Sequence, residues 1–415
     1  MDTVDQNAMT MADMPLGPDG LIDFRALAVG LVEQCVNAAM DAAADELLGE
    51  GNRRNGYRER RLKTVIGEIT LRIPKLREGT YFPEEVLRPY SRADRAMVGA
   101  IAEVYRLGLS TRKIERAAEG LGFGSLSASA VSRMTASLDD DVAELQGAEF
   151  DGPFPYLWLD ATYVDCREGG RVRGRAVVTA IAAGMDGSRR YVGLDVVDTE
   201  SRDSWRSFLL GLRARGVRGV ELVVSDAHAG LRRAVREVFP GASWQRCLAH
   251  LGRDVAARPP HRADRAAAGR ALSAVFREGD PAAVRAAYDR AAAEVGRLDR
   301  RAGELLEEAR EDALCHLAFP AEHRIRIRTN NVQERANREI KRRTRVVQVF
   351  PSRRSLLRLV GAVLADVNEE WAAGHFMDAA GMRGLGRDAV PEEPPTAEQL
   401  ARAELVVLGA MREAA

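Results

Sequence analysis

Two aspartates that end apolar runs are the residues of this sequence best suited to chemistry. Asp160 follows the run YLWL and Asp226 follows ELVVS. A carboxylate beside a buried strand is costly unless it is paired or binds a metal ion. Asp226 could instead cap the helix that begins near Ala229, whereas the residues after Asp160 (ATYVD) continue as a strand and offer no such role. The two aspartates together predict a cation site.

The elements around these aspartates occur in a specific order. Alternating and apolar runs predict strands at 156–168, 171–185, 189–198, 220–226 and around 243–250, with helices at 201–216 and 229–239. Three strands, helix, strand, helix, strand, helix is the order of an RNase H-like fold. In such a sheet the first and fourth strands are neighbours, so Asp160 and Asp226 are expected to meet at one edge. Two carboxylates that close repel unless a cation lies between them, and hard oxygen ligands select Mg²⁺ or Mn²⁺.

A third acid is expected from the last helix of the core, NNVQERANREIKRRTR (330–345). Glu334 and Glu339 are five residues apart, about 140° around a helix, so they cannot both face the site. Glu339 shares its face with Arg335 and Arg343, which is typical of a surface ion pair. We therefore choose Glu334. Its face also carries Asn331, Arg335, Arg338, Lys341 and Arg342.

Three carboxylates that hold two cations roughly 3.5–4 Å apart form the arrangement for in-line phosphoryl transfer. We therefore expect two Mg²⁺ (or Mn²⁺) ions as cofactors, held by the catalytic residues Asp160, Asp226 and Glu334. The sequence contains neither G-x-x-x-x-G-K-[ST] nor a strand–GxGxxG–helix unit. No nucleotide cofactor is expected for this reason.

Cys247 and His250 form a C-x-x-H pair directly after the fifth predicted strand. A zinc site would need two further ligands with suitable spacing, and Cys315 and His316 are adjacent rather than spaced. Zinc is therefore disfavoured. We place Cys247, His250 and also His228 beside the catalytic cleft as supporting residues, with a purely structural role as the alternative.

Positive charge is concentrated in two blocks, although the 415 residues have a formal net charge of zero. Nine Lys or Arg stand against three Glu from Gly51 to Gly79, and nine stand against two Glu from Arg324 to Arg345. Arginine forks suit phosphate contacts, so the blocks indicate DNA-facing surfaces, with solvated charged faces as the alternative. The candidate DNA contacts in these blocks are Arg53, Arg54, Arg58, Arg60, Arg61, Lys63, Arg335, Arg338, Lys341 and Arg342.

The N-terminal third is predicted to be mainly helical. Residues 24–48 carry an apolar helical pattern that could pack locally or dimerise, 51–62 form a loop by composition, and TVIGEITLRIP (64–74) reads as a hairpin. Helices over 94–108, from Ser110 to about 121, and from about Ser127 outline either a helix-turn-helix or an ordinary helical hairpin. The candidate major-groove contacts are then Ser127, Ser129, Ser132 and Arg133.

Composition points to a globular protein without membrane association. No apolar run reaches the roughly 18–20 residues of a membrane span, the N-terminus is acidic, and the four cysteines are scattered. A reducing cytoplasm is the expected location. The predicted organisation is 1–22 disordered, 23–92 helix and basic hairpin, 93–148 helix-turn-helix-like, 149–254 catalytic core, 255–325 all-helical insertion, 326–380 final core helices and 381–415 C-terminal tail.

Four blocks of the sequence carry a resemblance to a known family. They are NGYRERRLKTVIGEITLRIPKLREGTYFP (55–83), YLWLDATYVDCRE (156–168), VVSDAHAGL with WQRCLAH behind it, and RTNNVQERANREIKRRTRVVQVFPS (328–352). Together they resemble the Mutator-type bacterial insertion-sequence transposases, members of the MULE group of DDE enzymes. Gln333 and Ala336 depart from this resemblance, because larger apolar residues are expected beside Glu334.

The resemblance implies specific properties. The catalytic acids would be Asp160, Asp226 and Glu334, and the family's Cys/His motif would fall on Cys247 and His250. The fold would be an α/β RNase H-like catalytic core with an all-α insertion and a mainly helical N-terminal DNA-binding region. The implied reaction is Mg²⁺-dependent cleavage and strand transfer on double-stranded DNA, at terminal inverted repeats and a target. A homodimer or higher oligomer on DNA, in the bacterial cytoplasm at the nucleoid, would carry it out.

Two other functions stay open at this point. An RNase H-like nuclease that only hydrolyses nucleic acid would share the three acids but would not need the large N-terminal region. A domesticated DNA-binding protein without catalysis would not need the three acids at all.

Overall fold

The computed structural model describes residues 15–16, 21–46, 53–64, 67–77, 81, 100–106, 109, 113–116, 131, 134–372, 374–385 and 394–412. The chain divides into two compact units, Met1–Ser137 and Leu138–Ala415. The candidate DNA contacts Ser127, Ser129, Ser132 and Arg133 lie outside the described residues, as do the side chains of Lys63 and Arg335.

The first unit packs helix α1 (Phe24–Glu46) against a hairpin of strands β1 (Arg54–Thr64) and β2 (Gly67–Leu76). The alternating apolar residues of β2 and one residue of α1 form the buried cluster Met40, Ile69, Leu71 and Ile73. The Asn37 side chain accepts a hydrogen bond from Arg72 N and donates one to Thr70 O, at 2.8 and 3.0 Å. These contacts cover the outer edge of β2, and Met40 packs on the hairpin, while Phe24, Leu31 and Val32 of α1 are exposed.

The prediction of a loop over 51–62 is wrong, because β1 covers Arg54–Thr64. Most side chains of β1 are exposed, and its sequence has little intrinsic strand preference. The ladder to the apolar strand β2 stabilises it instead. Gly56, at φ +79°, sits where the register shifts between Arg54 and Tyr57, a conformation that glycine adopts without steric cost.

The helix-turn-helix prediction falls largely outside the described residues. Within its range, residues 100–106 and 113–116 are helical, as are Val131 and Met134. The choice between a helix-turn-helix and a helical hairpin therefore stays a prediction.

The second unit is built on a five-stranded mixed sheet with the order β5-β4-β3-β6-β7. Its strands are β3 (Tyr156–Glu168), β4 (Arg171–Ala183), β5 (Arg189–Val197), β6 (Leu222–Ser225) and β7 (Ser243–Arg246). Its helices are α2 (Leu138–Gly147), α3 (Arg202–Ala214), α4 (Ala229–Val238), α5 (Leu248–Ala257), α6 (Arg262–Val275), α7 (Pro281–Leu298), α8 (Arg300–Leu314), α9 (Ala321–Ile327), α10 (Asn331–Val347), α11 (Arg353–Ala372), α12 (Ala379–Gly384) and α13 (Ala397–Arg412).

The predicted α/β class of this unit is confirmed, with β3 antiparallel to β4 and parallel to β6. Leu157 and Leu159 of β3 pack into a core cluster with α3 and α4 on one face of the sheet. On the other face, Thr179 of β4 donates a hydrogen bond to Gln333 of α10, and Tyr191 of β5 stacks on Trp371 of α11. Two layers of helices therefore enclose the sheet, and alternate residues of β3 face different layers.

One boundary differs from the sequence prediction at the start of the helical region. The strand predicted around 243–250 ends at Arg246, and Cys247 is the N-cap of α5. His250 therefore lies in the first turn of a helix rather than beyond a strand.

Helices α5 to α8 share one core that is rich in alanine, whose small side chain allows the helices to pack closely. Ala403 and Val407 of α13 are buried in the same core. The last helix of the chain therefore completes the helical region from a distance in sequence. No helix among the described residues combines the length and apolar character needed to cross a membrane.

Candidate active site

Hydrogen bonds near both ends of helix α10 hold it against strand β3. Near its start, the Asn330 amide donates to Leu159 O at 3.0 Å and the buried Gln333 amide donates to Trp158 O at 3.0 Å. Just beyond its end, Phe350 N donates to Asp165 O at 2.9 Å, and Phe350 O accepts from Arg167 N at 2.7 Å. The helix that carries Glu334 is thus held in one register relative to the strand that carries Asp160.

A cleft of about 340 Å³ brings the three predicted acids together. Asp160 comes from β3, Asp226 from the residue after β6, and Glu334 from the first turn of α10. The other residues that line the cleft are Ala161, Thr162, Cys247, Ala249, His250, Arg253, Asn330, Asn331, Asn337, Arg338 and Lys341. The lining is thus largely polar and contains the three carboxylates together with His250, Arg253, Arg338 and Lys341.

Asp160 is half-buried and held by two amides. Asn330 Nδ2 donates to its Oδ1 at 3.3 Å, and Asn337 Nδ2 donates to its Oδ2 at 2.5 Å. Burial and the neighbouring charge of Asp226 raise the pKa of Asp160 to about 6, against the opposing effects of Asn337, His250 and Lys341. Two carboxylates this close repel each other, and a cation between them would relieve that repulsion.

Asp226 is not the cap of the following helix. The N-cap of α4 is His228, whose side chain accepts a hydrogen bond from Leu231 N. The Asp226 carboxylate contacts His250 Nδ1 through its Oδ1 instead. Burial alone would lower the pKa of His250, but its hydrogen bonds with Asp226 and Cys247 raise it to about 10. His250 is therefore a cation that holds Asp226 in the cleft.

Cys247 fixes the start of α10 as well as the start of α5. Its Sγ accepts a hydrogen bond from Asn330 N at 3.2 Å, and the next residue, Leu248, donates its N–H to Arg328 O at 3.0 Å. The C-x-x-H pair therefore contacts the surroundings of two of the three acids. Cys247 contacts the segment that leads to Glu334, and His250 contacts Asp226.

The donor atoms of the cleft fit hard divalent cations. Asp160 and Asp226 present carboxylate oxygens, and the Oδ1 of Asn330 is buried without a hydrogen-bond partner among the described residues. Asp226, Cys247 and His250 also place one donor atom each within 4.8 Å of one another. That second group mixes oxygen, sulfur and nitrogen and offers three ligands within the part of the chain that the structure describes, one fewer than a structural zinc site needs.

Glu334 and Glu339 have different surroundings, as the helix geometry predicts. Glu334 is exposed and lines the cleft. Glu339 forms ion pairs with Arg342 at 2.9 Å and with Arg343 at 3.7 Å. Arg338 and Lys341 lie in the cleft with Glu334, whereas Arg342 does not line it.

The other predicted site residues lie elsewhere. His228, predicted to support the site, lines a neighbouring groove rather than the cleft, and its ring caps helix α4, in keeping with the structural alternative. In the first unit, Arg58 and Arg60 are exposed on β1, and Arg61 lies 3.5 Å from Glu68. Arg54 binds Asp41 of α1 at 2.9 Å and also Asp45, so its guanidinium is part of the packing of the hairpin on the helix.

Sequence reasoning missed the residues that orient Asp160. Asn330 and Asn337 lie four residues before and three after Glu334, so all three share a helix face. The presence of two amide side chains on the helix face of the expected catalytic acid could have identified them in the sequence. Arg253 was missed too, one turn after His250 on α5, and it adds a guanidinium group to the cleft.

Comparisons with known proteins agree with the resemblance seen in the sequence. The family model described as "Transposase, Mutator family" matches residues 3–374. The transposase for insertion sequence element IS1081 of Mycobacterium tuberculosis is 41% identical over 355 residues, which cover 83% of this chain and 85% of that protein. The transposase for ISRM5 of Rhizobium meliloti is 36% identical over 373 residues, 85% of this chain and 89% of that protein. The transposase for IS256 in transposon Tn4001 of Staphylococcus aureus is 34% identical over 325 residues, 77% of this chain and 82% of that protein. With a family match over nearly its whole length, the chain belongs to the Mutator family of transposases.

Proposed function

We propose that the chain binds the terminal inverted repeats of an insertion sequence and catalyses Mg²⁺-dependent DNA cleavage and strand transfer through Asp160, Asp226 and Glu334. The five-stranded sheet is then an RNase H-like core. Its order, with three antiparallel strands followed by two parallel ones on the other side of β3, supports this. The helices α6 to α9 are then the insertion, predicted over 255–325, that precedes the last acid.

One observation carries the proposal. Three acids from three separate elements, far apart in sequence, line one cleft together with Arg253, Arg338 and Lys341. Several carboxylates gathered in a half-buried site raise the free energy of the protein unless they bind cations, and His250 contacts only one of them, Asp226. Basic side chains beside the acids in one cleft suit a polyanionic substrate that reacts at a metal site.

Asp160, Asp226 and Glu334 would hold the Mg²⁺ ions, which supply an activated attacking oxygen and charge stabilisation for the leaving 3′ oxygen. The residues of the chain set the geometry of this site. Asn330 and Asn337 orient the carboxylate of Asp160, and His250 orients that of Asp226. Arg338, Lys341 and Arg253 line the same cleft and would hold phosphates of the reacting strand.

The DNA partners are expected on two surfaces. Within the first unit, the exposed residues Arg58 and Arg60 of β1 present positive charge on a two-stranded ribbon. Within the second unit, the basic side chains of the cleft contact the strand that reacts. Joining two transposon ends requires two active sites in one assembly, so we propose a dimer or a larger oligomer on DNA.

The test is an oligonucleotide assay with the DNA that flanks the coding region as donor and a supercoiled plasmid as target. With Mg²⁺, we expect donor strands nicked at the repeat and then joined to the plasmid. Asp160→Asn, Asp226→Asn and Glu334→Gln should each reduce both steps by about 10³-fold or more, roughly 4 kcal/mol of transition-state stabilisation.

Two control variants match these changes on the same elements. Asp165→Asn alters an exposed carboxylate on β3, and Glu339→Gln alters the carboxylate that pairs with Arg342 on α10. Both should retain cleavage within a few fold. Nicked donor without joined product would instead support the nuclease function, and DNA binding with neither product would support a non-catalytic DNA-binding protein.

A further inference from the structure

A second cavity, of about 480 Å³, lies beside the catalytic cleft and has no assigned role. Its lining consists of Ala227, His228, Ala229, Arg232, Arg233, Arg236, Trp244 and Arg246. We call it the arginine groove. Four guanidinium groups converge on it from helix α4 and strand β7.

Two of these arginines are held in place by a tryptophan and an aspartate. The guanidinium groups of Arg232 and Arg246 lie 5.0 and 5.7 Å from the centre of the Trp244 ring, which is itself buried. Trp244 Nε1 donates to Ser225 Oγ at 2.9 Å, which fixes the ring on the sheet. Asp312 binds Arg232 at 2.9 Å and Arg246 at 3.5 Å. The groups are thus ordered before any ligand arrives.

The groove keeps a positive charge after these contacts are counted. Asp312 is one carboxylate shared by two arginines, and both Nε atoms of that pair are buried without a hydrogen-bond partner among the described residues. Arg233 lies 3.4 Å from Glu237, a carboxylate that also pairs with Arg202 and Arg206. Arg236 is exposed, and no ion pair of its side chain is recorded in the described part of the chain. Four guanidinium groups with this deficit of carboxylates suit phosphate oxygens.

The arginine groove directly follows the catalytic cleft along the chain. Asp226 lines the catalytic cleft, and the next three residues, Ala227 to Ala229, line the arginine groove. The two cavities are therefore adjacent, on consecutive residues of the segment that joins β6 to α4, so one DNA strand can contact both.

Resting on the proposed function, we propose that the arginine groove binds the sugar-phosphate backbone of the DNA next to the bond cleaved in the catalytic cleft. The contact is independent of base sequence. Trp244 is buried under two guanidinium groups and presents no open face for a base, while arginines on phosphates set position rather than sequence preference. The groove therefore adds affinity and aligns the strand in the cleft.

The test measures the salt dependence of binding to a 30-base-pair duplex carrying the repeat, in EDTA so that no cleavage occurs. Arg233→Ala with Arg236→Ala removes two exposed guanidinium groups and leaves Arg232, Arg246 and their platform unchanged. Each phosphate contact contributes about 0.9 to the slope of log K against log salt, so the double variant should lose about 1.8 from that slope. At 0.1 M salt this is a loss of affinity of about 60-fold.

Two matched variants make the result specific. Arg270→Ala with Arg277→Ala removes two exposed arginines near helix α6 that line neither cavity, and its slope should equal that of the wild type. Arg233→Lys with Arg236→Lys keeps the charge and should keep most of the slope. An unchanged slope in the groove alanine variant, or an equal fall in the α6 variant, overturns the groove proposal.

The same preparations separate this proposal from the proposed function. If wild-type protein binds the duplex but neither nicks nor joins it with Mg²⁺, the proposed function fails, and the comparison of slopes still decides the groove. If wild-type protein does not bind DNA, both proposals fail.

Discussion

Asn337 donates a hydrogen bond to Asp160 Oδ2, and its replacement by alanine tests how the cleft orients its first acid. The side chain is partly exposed in the cleft and lies on the same face of α10 as Glu334. Alanine has a higher helix propensity than asparagine, so a loss of function cannot be attributed to a weaker helix α10. Asn330 stays in place and still donates to Asp160 Oδ1 and Leu159 O.

The magnitude follows from the kind of bond that is removed. A hydrogen bond to a charged group contributes about 1.5–3 kcal/mol, which is about 10- to 150-fold in an equilibrium constant. Loss of an outer hydrogen bond to a metal ligand typically costs about 10- to 100-fold in metal affinity. We therefore expect Asn337→Ala to weaken Mn²⁺ binding by about 10- to 100-fold.

The assay is Mn²⁺ titration of DNA-free protein, followed by the loss of the free-ion electron paramagnetic resonance signal. The matched control is Asn331→Ala. Asn331 lines the same cleft on the same helix, and no hydrogen bond from it to Asp160 or Asp226 is recorded among the described residues. Equal Mn²⁺ affinity in wild type and Asn337→Ala, with both proteins folded by circular dichroism, would refute the role assigned to this amide. So would an equal loss of affinity in the control.

Three further predictions concern stability and metal content. Arg358 is buried and donates hydrogen bonds to Asp139. These bonds hold the pKa of the Asp139 carboxyl below its ordinary 3.8, because their effect outweighs that of burial, which would raise it. Asp139→Ala should therefore cost about 3 kcal/mol of unfolding free energy at pH 7 in urea denaturation, and wild type should lose this contribution as the pH falls below about 4. An Asp139→Ala protein as stable as wild type at pH 7 would contradict the pair's role. Val407→Asp places a charge in the core shared by α13 and α5 to α8, so it should lower the free energy of unfolding by about 3 kcal/mol. Leu405→Asp, at an exposed position of the same helix, should change it by less than about 0.5 kcal/mol. Similar unfolding midpoints for the two variants would rule out the buried placement of α13. Elemental analysis of protein purified without added metal should find no stoichiometric zinc, because Asp226, Cys247 and His250 supply three ligands within the described residues; one zinc per chain would show that the disfavoured interpretation of the C-x-x-H pair was the right one.

The sequence predicts the catalytic half of the fold better than the N-terminal half, for a physical reason. Strand β3 begins with four buried residues, Tyr156 to Leu159, and alternates between buried and exposed residues from Thr162 onward, a pattern that few other local structures produce. The stretch of β1 is the opposite case. Its arginines, asparagine and glycine have little preference for a strand, and its pairing with β2 depends on contacts made by another segment.

The candidate site shows the same division between local and tertiary information. Helix periodicity alone separates Glu334 from Glu339, because the angle between their side chains depends only on their spacing. The capping alternative for Asp226 could not be rejected in this way. The cap of α4 is the side chain that reaches the backbone of Leu231, which is that of His228. The Asp226 side chain contacts His250 instead, and this contact is made by a residue from another element that the local sequence does not reveal.

Gln333 illustrates a departure from the family pattern that the fold accommodates. A polar residue at a buried position beside Glu334 would destabilise the helix if its amide had no partners. Here the amide binds both Thr179 and Trp158 O, so it joins α10 to two strands at once. A larger apolar residue could fill this space but could not provide the two hydrogen bonds.

The hydrogen bond from Leu248 N to Arg328 O closes the base of the helical region, because it joins the residue where α5 begins to the segment just before α10. The chain leaves the sheet and returns to it at nearly the same point. The entropy of closing such a loop grows only slowly with its length, so the number of residues between the second and third acids is not fixed by the geometry of the cleft. We expect this segment to tolerate replacement by a folded module whose ends lie equally close together, as domain insertions do in other proteins. The spacing from Asp226 to Glu334 would then be free to vary among functional chains, while the distance from Glu334 back to Asn330 would not.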